Sequence, residues 1–578
     1  MFLRITTFLF LILMLPSSAD AVLRSLCEGY KIDSSEIIRF NVNEKKLICG
    51  DHNAESWNKI PRSQAKYFAR NFLQERGYLD PEFKEEGENV IIVVGEKTRI
   101  TDVSIKGAPP RTLRAWQKRG IRGAPLDPKS LDSLERWGVS GLKSKGFACP
   151  RVSALGDASS GGVELEVNPG PRLNIASLEQ SPVEGLMDGA LERFNAFHVG
   201  DPYDYRNIAL TSRRISQSGI LQSSYFLTEC ADDGVHLTQK SISGASRLVS
   251  AGLGGSTEEY LIGKASWKQG RLGKAGSSFE VAGRASYRRQ RFLVKGMVYP
   301  FSFPTRWHFT PAFSTRREKE SRYEYLANDL LIPAAVNWDT REIGWNLFFG
   351  PRLNYTRVFS GADKGWTHFL SGIAGLEIIS HVYELNVADP KSGYTVRGLA
   401  EFNSDKAFST ISAQKFTLSG EALYNFAGFD SPLLILSIRG FAGTTLVDSG
   451  NAQFSKMPPW LFYYFGGSAD LRGFGLKKLP DANRGALTAL YSGVEARLAN
   501  IFPLNLQPIA FADFGVMGQK SVSLNLPVYC SPGIGIRWPS LIGVLRFTAA
   551  KGLFLKNSTP PKQAPSRWHF IFSIGEEF

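Results

Sequence analysis

Two hydrophobic periods divide the chain. Over residues 63–76, Ala65, Phe68, Ala69, Phe72 and Leu73 recur at i, i+3, i+4, i+7 and i+8, one face of a helix. Gly77 ends that helix, and Val90-Ile91-Ile92-Val93-Val94 reads as a buried strand. Gly95-Glu96-Lys97 then turns the chain into a second strand over 99–105. The pattern comes back. Asp127-Pro128 places an N-cap before a proline at N1, and the helix runs through Leu131, Leu134, Trp137 and Leu142 to Gly146. Strands at 163–167 and 172–178 follow across Pro169-Gly170. A third copy opens at Asp201-Pro202 and passes Ile208, Ile215 and Gly219 to Val235-His236-Leu237. The interval between copies is roughly 70 residues, which predicts an α/β module repeated in tandem. The first copy is the least defined, because residues 22–59 carry no strong period.

From about Ser246 the helical period gives way to strict alternation. Phe279, Val281, Ala285 and Tyr287 share one face, opposite Glu280, Arg284 and Ser286. Phe416, Leu418, Ala422, Tyr424 and Phe426 oppose Lys415, Thr417, Ser419, Glu421 and Asn425. In Thr488–Leu498, Leu490, Val494, Ala496 and Leu498 oppose Tyr491, Glu495 and Arg497. Charged residues deep inside long alternating strands suit a water-filled lumen behind a lipid-facing wall, the pattern of a transmembrane β-barrel. A soluble sandwich with one wet face is the competing reading. At about 20 residues per strand and connection, residues 246–578 allow roughly 16 antiparallel strands. The last stretch, 568–578, carries Trp568, Phe570, Phe572, Ile574 and Phe578 on one face, as a closing strand would.

The start of the chain adds a compartment. Arg4 precedes an apolar run over 5–15, and Ala19-Asp20-Ala21 fits a small-x-small cleavage site, so a signal peptide over 1–21 is expected. The chain has 578 residues and a net charge of +14, without a Lys/Arg-rich run of the kind that grips nucleic acid. Five cysteines, Cys27, Cys49, Cys149, Cys230 and Cys530, are too few and too odd for a disulfide framework. Cys27 and Cys49 can pair or stay as free thiols. The histidines (His52, His198, His236, His308, His368, His381 and His569) are scattered without metal-ligand spacing. His-Glu-x-x-His, Gly-x-Ser-x-Gly and P-loop patterns are absent, so neither an enzyme, nor a metal site, nor a cofactor is expected.

One stretch carries unusual chemistry: Phe465-Gly466-Gly467-Ser468-Ala469-Asp470-Leu471-Arg472-Gly473-Phe474-Gly475. Its glycines permit positive φ or close approach, and a permanently charged guanidinium stands among them. Such an arginine needs carboxylates. Glu495 lies on the polar face of its strand, and Phe511-Ala512-Asp513-Phe514-Gly515 puts Asp513 on the polar face of the next. Arg472 held by Asp513 and Glu495 is the expected anchor of an inward-folded loop.

Gly466-Gly467 with Leu471-Arg472-Gly473-Phe474, the partner motif Phe511-x-Asp513-x-Gly515, the repeated modules and the aromatic end together resemble the outer-membrane protein assembly superfamily. Its members join polypeptide-transport-associated (POTRA) modules to a 16-stranded barrel. The resemblance implies modules at 22–98, 99–171 and 172–245 in the periplasm and an outer-membrane barrel at 246–578. Three modules look most like the outer-membrane subunit of the translocation and assembly module, the TamA family. The implied function is insertion of β-barrel or autotransporter-type clients into the outer membrane. The implied partners are unfolded clients, outer-membrane lipid and an inner-membrane-anchored, TamB-like periplasmic protein. The barrel would open between its first strand, near 246–255 and rich in glycine, and the strand ending at Phe578. A two-partner-secretion-type pore exporting one exoprotein is the alternative.

Overall fold

The computed structural model describes all residues except 1–23, 28–29, 34–37, 52, 56–59, 87–88, 114–120, 301–304, 363, 386–389, 427–432, 449–451, 541–542, 556–566 and 575–578. The expected signal peptide and Phe578 lie outside the described residues. The chain separates into two compact units, one of residues 1–141 with 150–169, the other of 142–149 with 170–578.

In the first unit, a four-stranded sheet has the order Arg24–Cys27, Tyr30–Asp33, Asn89–Val93, Glu82–Glu86. Its core includes Ala65, Ala69 and Leu73 from the helix Arg62–Gln74, with Phe68 and Phe72 packed against them. A second helix, Val42–Cys49, is capped by Asn41, which exchanges hydrogen bonds with Glu44 in a capping box. That helix falls where no period is legible, because only Ile48 and Cys49 of it are buried. Asp102–Lys106, Gly162–Asn168 and Arg151–Gly156 form a three-stranded sheet. The strand expected from 99 starts later, since Arg99 makes an isolated bridge to Pro125 instead.

The second unit holds a like sheet, ordered Ile175–Gln180, Gly234–Ile242, Ser223–Ala231. Its core is Ile175, Phe197, Tyr203, Ile208, Val235 and Leu237. The helix runs over Tyr205–Ser218, and its N-cap is Asp204 rather than Asp201. Pro202 is bridged to Asn174 and Tyr203 is fully buried, which holds those residues extended and delays the helix by one turn. Cys149 and Cys230, 81 residues apart in sequence, form a disulfide in this unit. Cys49 is also disulfide-bonded, and the side chain of Cys27 lies outside the described residues. Cys530 is free and buried.

The rest of the second unit is a closed antiparallel barrel. Its strands are β1 (Arg247–Ser256), β2 (Tyr260–Leu272), β3 (Ser277–Ser286), β4 (Arg289–Met297), β5 (Trp307–Phe309 continued by Ala312–Lys319) and β6 (Glu324–Leu331 continued by Ala334–Asp339). Then come β7 (Ile343–Ser360), β8 (Gly365–Ser380), β9 (Gly393–Asn403), β10 (Ala413–Phe426), β11 (Leu434–Leu446) and β12 (Thr488–Leu498). The ring ends with β13 (Gln507–Gly518), β14 (Tyr529–Ser540), β15 (Gly543–Lys551 continued by Leu553–Phe554) and β16 (Trp568–Ile574). The sixteen strands are interrupted at Pro311 and Pro333, which lack a ladder N–H, and at Gly552. Outward positions such as Leu418, Ile438, Leu490 and Val494 stay exposed, while their neighbours Ser437, Tyr491 and Glu495 are buried in the lumen.

The third α/β unit is fixed to one end of the barrel. Arg214 of its helix forms a two-pronged pair with Asp339 at the end of β6, both contacts 2.5 Å. Arg193 Nη1 donates to the carbonyl of Ala275 at 2.6 Å, and Lys268 Nζ to that of Gln217 at 2.5 Å.

Candidate functional site

The long loop between β11 and β12 folds back into the lumen. It turns at Gly466 and Gly467, whose φ angles of 108° and 111° suit glycine alone. Asp470 shapes the turn by accepting hydrogen bonds from the backbone N–H groups of Gly466 (2.6 Å) and Leu471 (2.5 Å). Burial pushes its carboxyl up to about 6 in spite of those two donors.

Arg472 sits next along the loop and is 5% exposed. Its Nε and Nη2 donate to the two carboxylate oxygens of Asp513, each at 2.9 Å. Nη1 donates to Glu495 at 2.5 Å. The guanidinium carbon lies 3.3 Å from the ring centre of Phe511, a stacked cation on an aromatic face. So the loop arginine, both carboxylates and Phe511 converge on one point of the β12–β13 wall. Gly493 faces Asp513 across the β12–β13 pairing, and a Cβ there would stand 2.9 Å from the carboxylate. A Cβ on Gly515 would press to 2.9 Å from Leu471, so its absence makes the seat for that side chain.

Apolar packing holds the rest of the motif. Leu471 and Phe474 are fully buried in a cluster with Phe465, Tyr491, Met517 and Tyr529. Phe474 meets Tyr529 and Phe554 edge-on at 5.7 and 5.5 Å. Gly473 passes the break in β15, where its Cβ would sit 2.5 Å from the backbone nitrogen of Gly552. Gly473→Ala must therefore displace backbone, and a loss of about 1–3 kcal/mol is expected. Its measure is the urea midpoint of the refolded barrel, where an unchanged midpoint would show that the loop does not seat here.

The site contains groups that sequence reasoning missed. Tyr491 Oη donates to Asp513 at 3.2 Å, Arg439 of β11 approaches the same carboxylate at 3.7 Å, and Arg497 Nε donates to Glu495 at 2.7 Å. All three occupy lumen-facing positions, so strand parity was the available signal. A further link joins the loop to the first hairpin. Ser468 donates from its backbone N–H and, at 2.6 Å, from its hydroxyl to Glu258 in the β1–β2 turn.

The closing strand lies apart from this socket. Trp568, Phe570 and Phe572 are exposed on the outer face of β16, with Ile574 at its described end. Among the described residues, β16 has seven register pairs with β15 but only two with β1, Gly255 to Ile574 and Ser256 to Ser573. By contrast, β1 and β2 share ten. Leu248, Val249 and Leu253 of β1 are more than half exposed. Glycines 252, 254 and 255 add little side-chain packing to this strand.

Residues 385–578 match the Omp85 superfamily domain. Among solved structures, BamA from Haemophilus ducreyi lacking POTRA domains 1–3 is similar at a TM-score of 0.50 and 14% identity, covering 83% of this chain and 100% of that one. CdiB from Acinetobacter baumannii is similar at 0.47 and 12%, covering 82% and 89%. CdiB from Escherichia coli is similar at 0.47 and 12%, covering 89% and 97%.

Proposed function

We propose that this chain, whose residues 385–578 match the Omp85 superfamily domain, forms an outer-membrane barrel that assembles β-barrel or autotransporter-type clients into that membrane. The observation that carries the reading is β1 itself, which meets the last strand through Gly255 and Ser256 and leaves Leu248, Val249 and Leu253 more than half exposed. A strand edge that comes free offers backbone donors and acceptors that another strand can satisfy. When the seam parts, an incoming strand that pairs with the edge of β1 is templated there and leaves sideways into lipid. The α/β units read as POTRA modules at 22–98, 99–171 and 172–245, on the periplasmic side, receiving the unfolded client at their sheet edges. Three such modules favour the TamA type of assembly factor, served by an inner-membrane-anchored, TamB-like partner. The work is the lowering of an insertion barrier, with no bond made or broken.

In this mechanism the arginine loop is positional. It fixes the β12–β13 wall and, through Ser468 and Glu258, touches the hairpin that borders the seam. The deciding experiment is quantitative proteomics of outer membranes from a deletion strain. Depletion of several barrel or autotransporter proteins is expected. Loss of a single secreted exoprotein, with the barrel proteins unchanged, would replace this reading by the dedicated secretion pore.

A further inference from the structure

Arg472 fixes only the middle of the β11–β12 loop. Its returning arm, residues 477–482, meets the turn between β5 and β6. Arg322 in that turn donates to the backbone carbonyls of Lys478 and Pro480, and to that of Ala482 at 3.3 Å. Its side chain is 8% exposed. Lys478 Nζ donates to the hydroxyl of Ser321 at 2.8 Å. Lys477 Nζ pairs with Glu318 of β5 and donates to Tyr323 Oη at 3.0 Å. A guanidinium shared among three carbonyls recognises the path of a backbone, and here the carboxylate of Asp481 on the same arm lies 3.9 Å away. The β5–β6 turn stands seven strands from the β12–β13 socket in a ring of sixteen, close to the opposite wall.

We propose that the loop is a crossbar braced across the lumen, with Arg322 as its second anchor opposite Arg472. Two charged forks, one at the middle of the loop and one on its returning arm, hold it across the lumen and close it, so that neither alone keeps the loop in place. This rests on the reading of the loop as a positional element, and not on which client the barrel handles. Arg322 is a positioning residue. It touches no client, and its effect is read in the permeability of the lumen.

The test uses the full-length protein in planar lipid bilayers, in a Cys530→Ser background. Arg322→Ala is expected to raise the steady conductance, while the heat-modifiable mobility of the folded barrel is kept. Ser321→Cys with Lys478→Cys, joined by a short bismaleimide, is expected to crosslink in the folded protein and to return the Arg322→Ala conductance to the parental level. Unchanged conductance in folded Arg322→Ala overturns the proposal, as does a raised conductance that the crosslink leaves in place. Should Arg322→Ala not fold, the 321–478 pair is crosslinked with Arg322 intact, and failure to crosslink there overturns the proposal too. Client assembly is measured separately, so failure of the assembly reading leaves this result standing, and the converse also holds.

Discussion

Arg472→Ala is expected to give a protein that is exported and membrane-inserted but loses heat-modifiable stability together with client assembly. The substitution removes one guanidinium and strands two carboxylates. Asp513 is fully buried and Glu495 nearly so. Breaking a buried pair by deleting one partner costs about 3–5 kcal/mol, because the partner's charge remains without compensation. Arg439 and Arg497 soften that loss. Arg439 already approaches Asp513 at 3.7 Å and reaches the loop carbonyl of Ala469 at 3.5 Å, and Arg497 donates to Glu495 at 2.7 Å, but neither replaces the loop's own guanidinium between the two carboxylates. Arg472→Lys is expected to fall between parent and alanine. An ammonium keeps the charge and three N–H donors, but it lacks the planar fork that spans both carboxylates while stacking on Phe511. The measurements are the mobility difference between heated and unheated samples and the level of assembled client. Parental values of both in Arg472→Ala would remove the anchoring role.

A covalent lock on the seam is the second large effect. Ser256 and Ser573 are register partners across β1 and β16. Ser256→Cys with Ser573→Cys should oxidise readily in an exported protein, since paired strand positions bring Cβ atoms within disulfide reach. Client assembly is expected to fall to background when oxidised and to recover on reduction. The reason is the contrast in pairing. A strand can enter only where the seam parts, whereas the ten register pairs between β1 and β2 hold that hairpin as a unit. Full assembly in the locked state would sink lateral opening and leave transport through the lumen as the route. A lock placed instead between Val281 and Val294, partners inside the β3–β4 pairing, should leave assembly unchanged.

These two predictions differ in how far they were legible in the chain. Arg472, Asp513 and Glu495 are readable from a glycine-rich loop and from the inward parity of two alternating strands, because period two assigns every residue to a face. The seam between the first and last strands was expected from the family resemblance and the glycines of β1. The number of register pairs depends on how the ring closes, which no local pattern encodes. Misplaced local features have equally local causes. The third helix starts at Tyr205 because Tyr203 is drawn into a core from elsewhere in the sheet. The helix Val42–Cys49 went unread because only its last two residues are buried. The pairing of Cys149 with Cys230 spans 81 residues and follows from packing, not from spacing.

By itself, then, the sequence determined the repeated α/β elements, the alternating wall and the residue types of the socket. Each rests on a period or on short-range steric demand, and both are properties of neighbouring residues. The tertiary structure alone decided that Glu258 receives Ser468, and that Arg322 grips the loop from the far side of the lumen. These are contacts between groups more than 150 residues apart, and closure of a sixteen-strand ring is what brings them together.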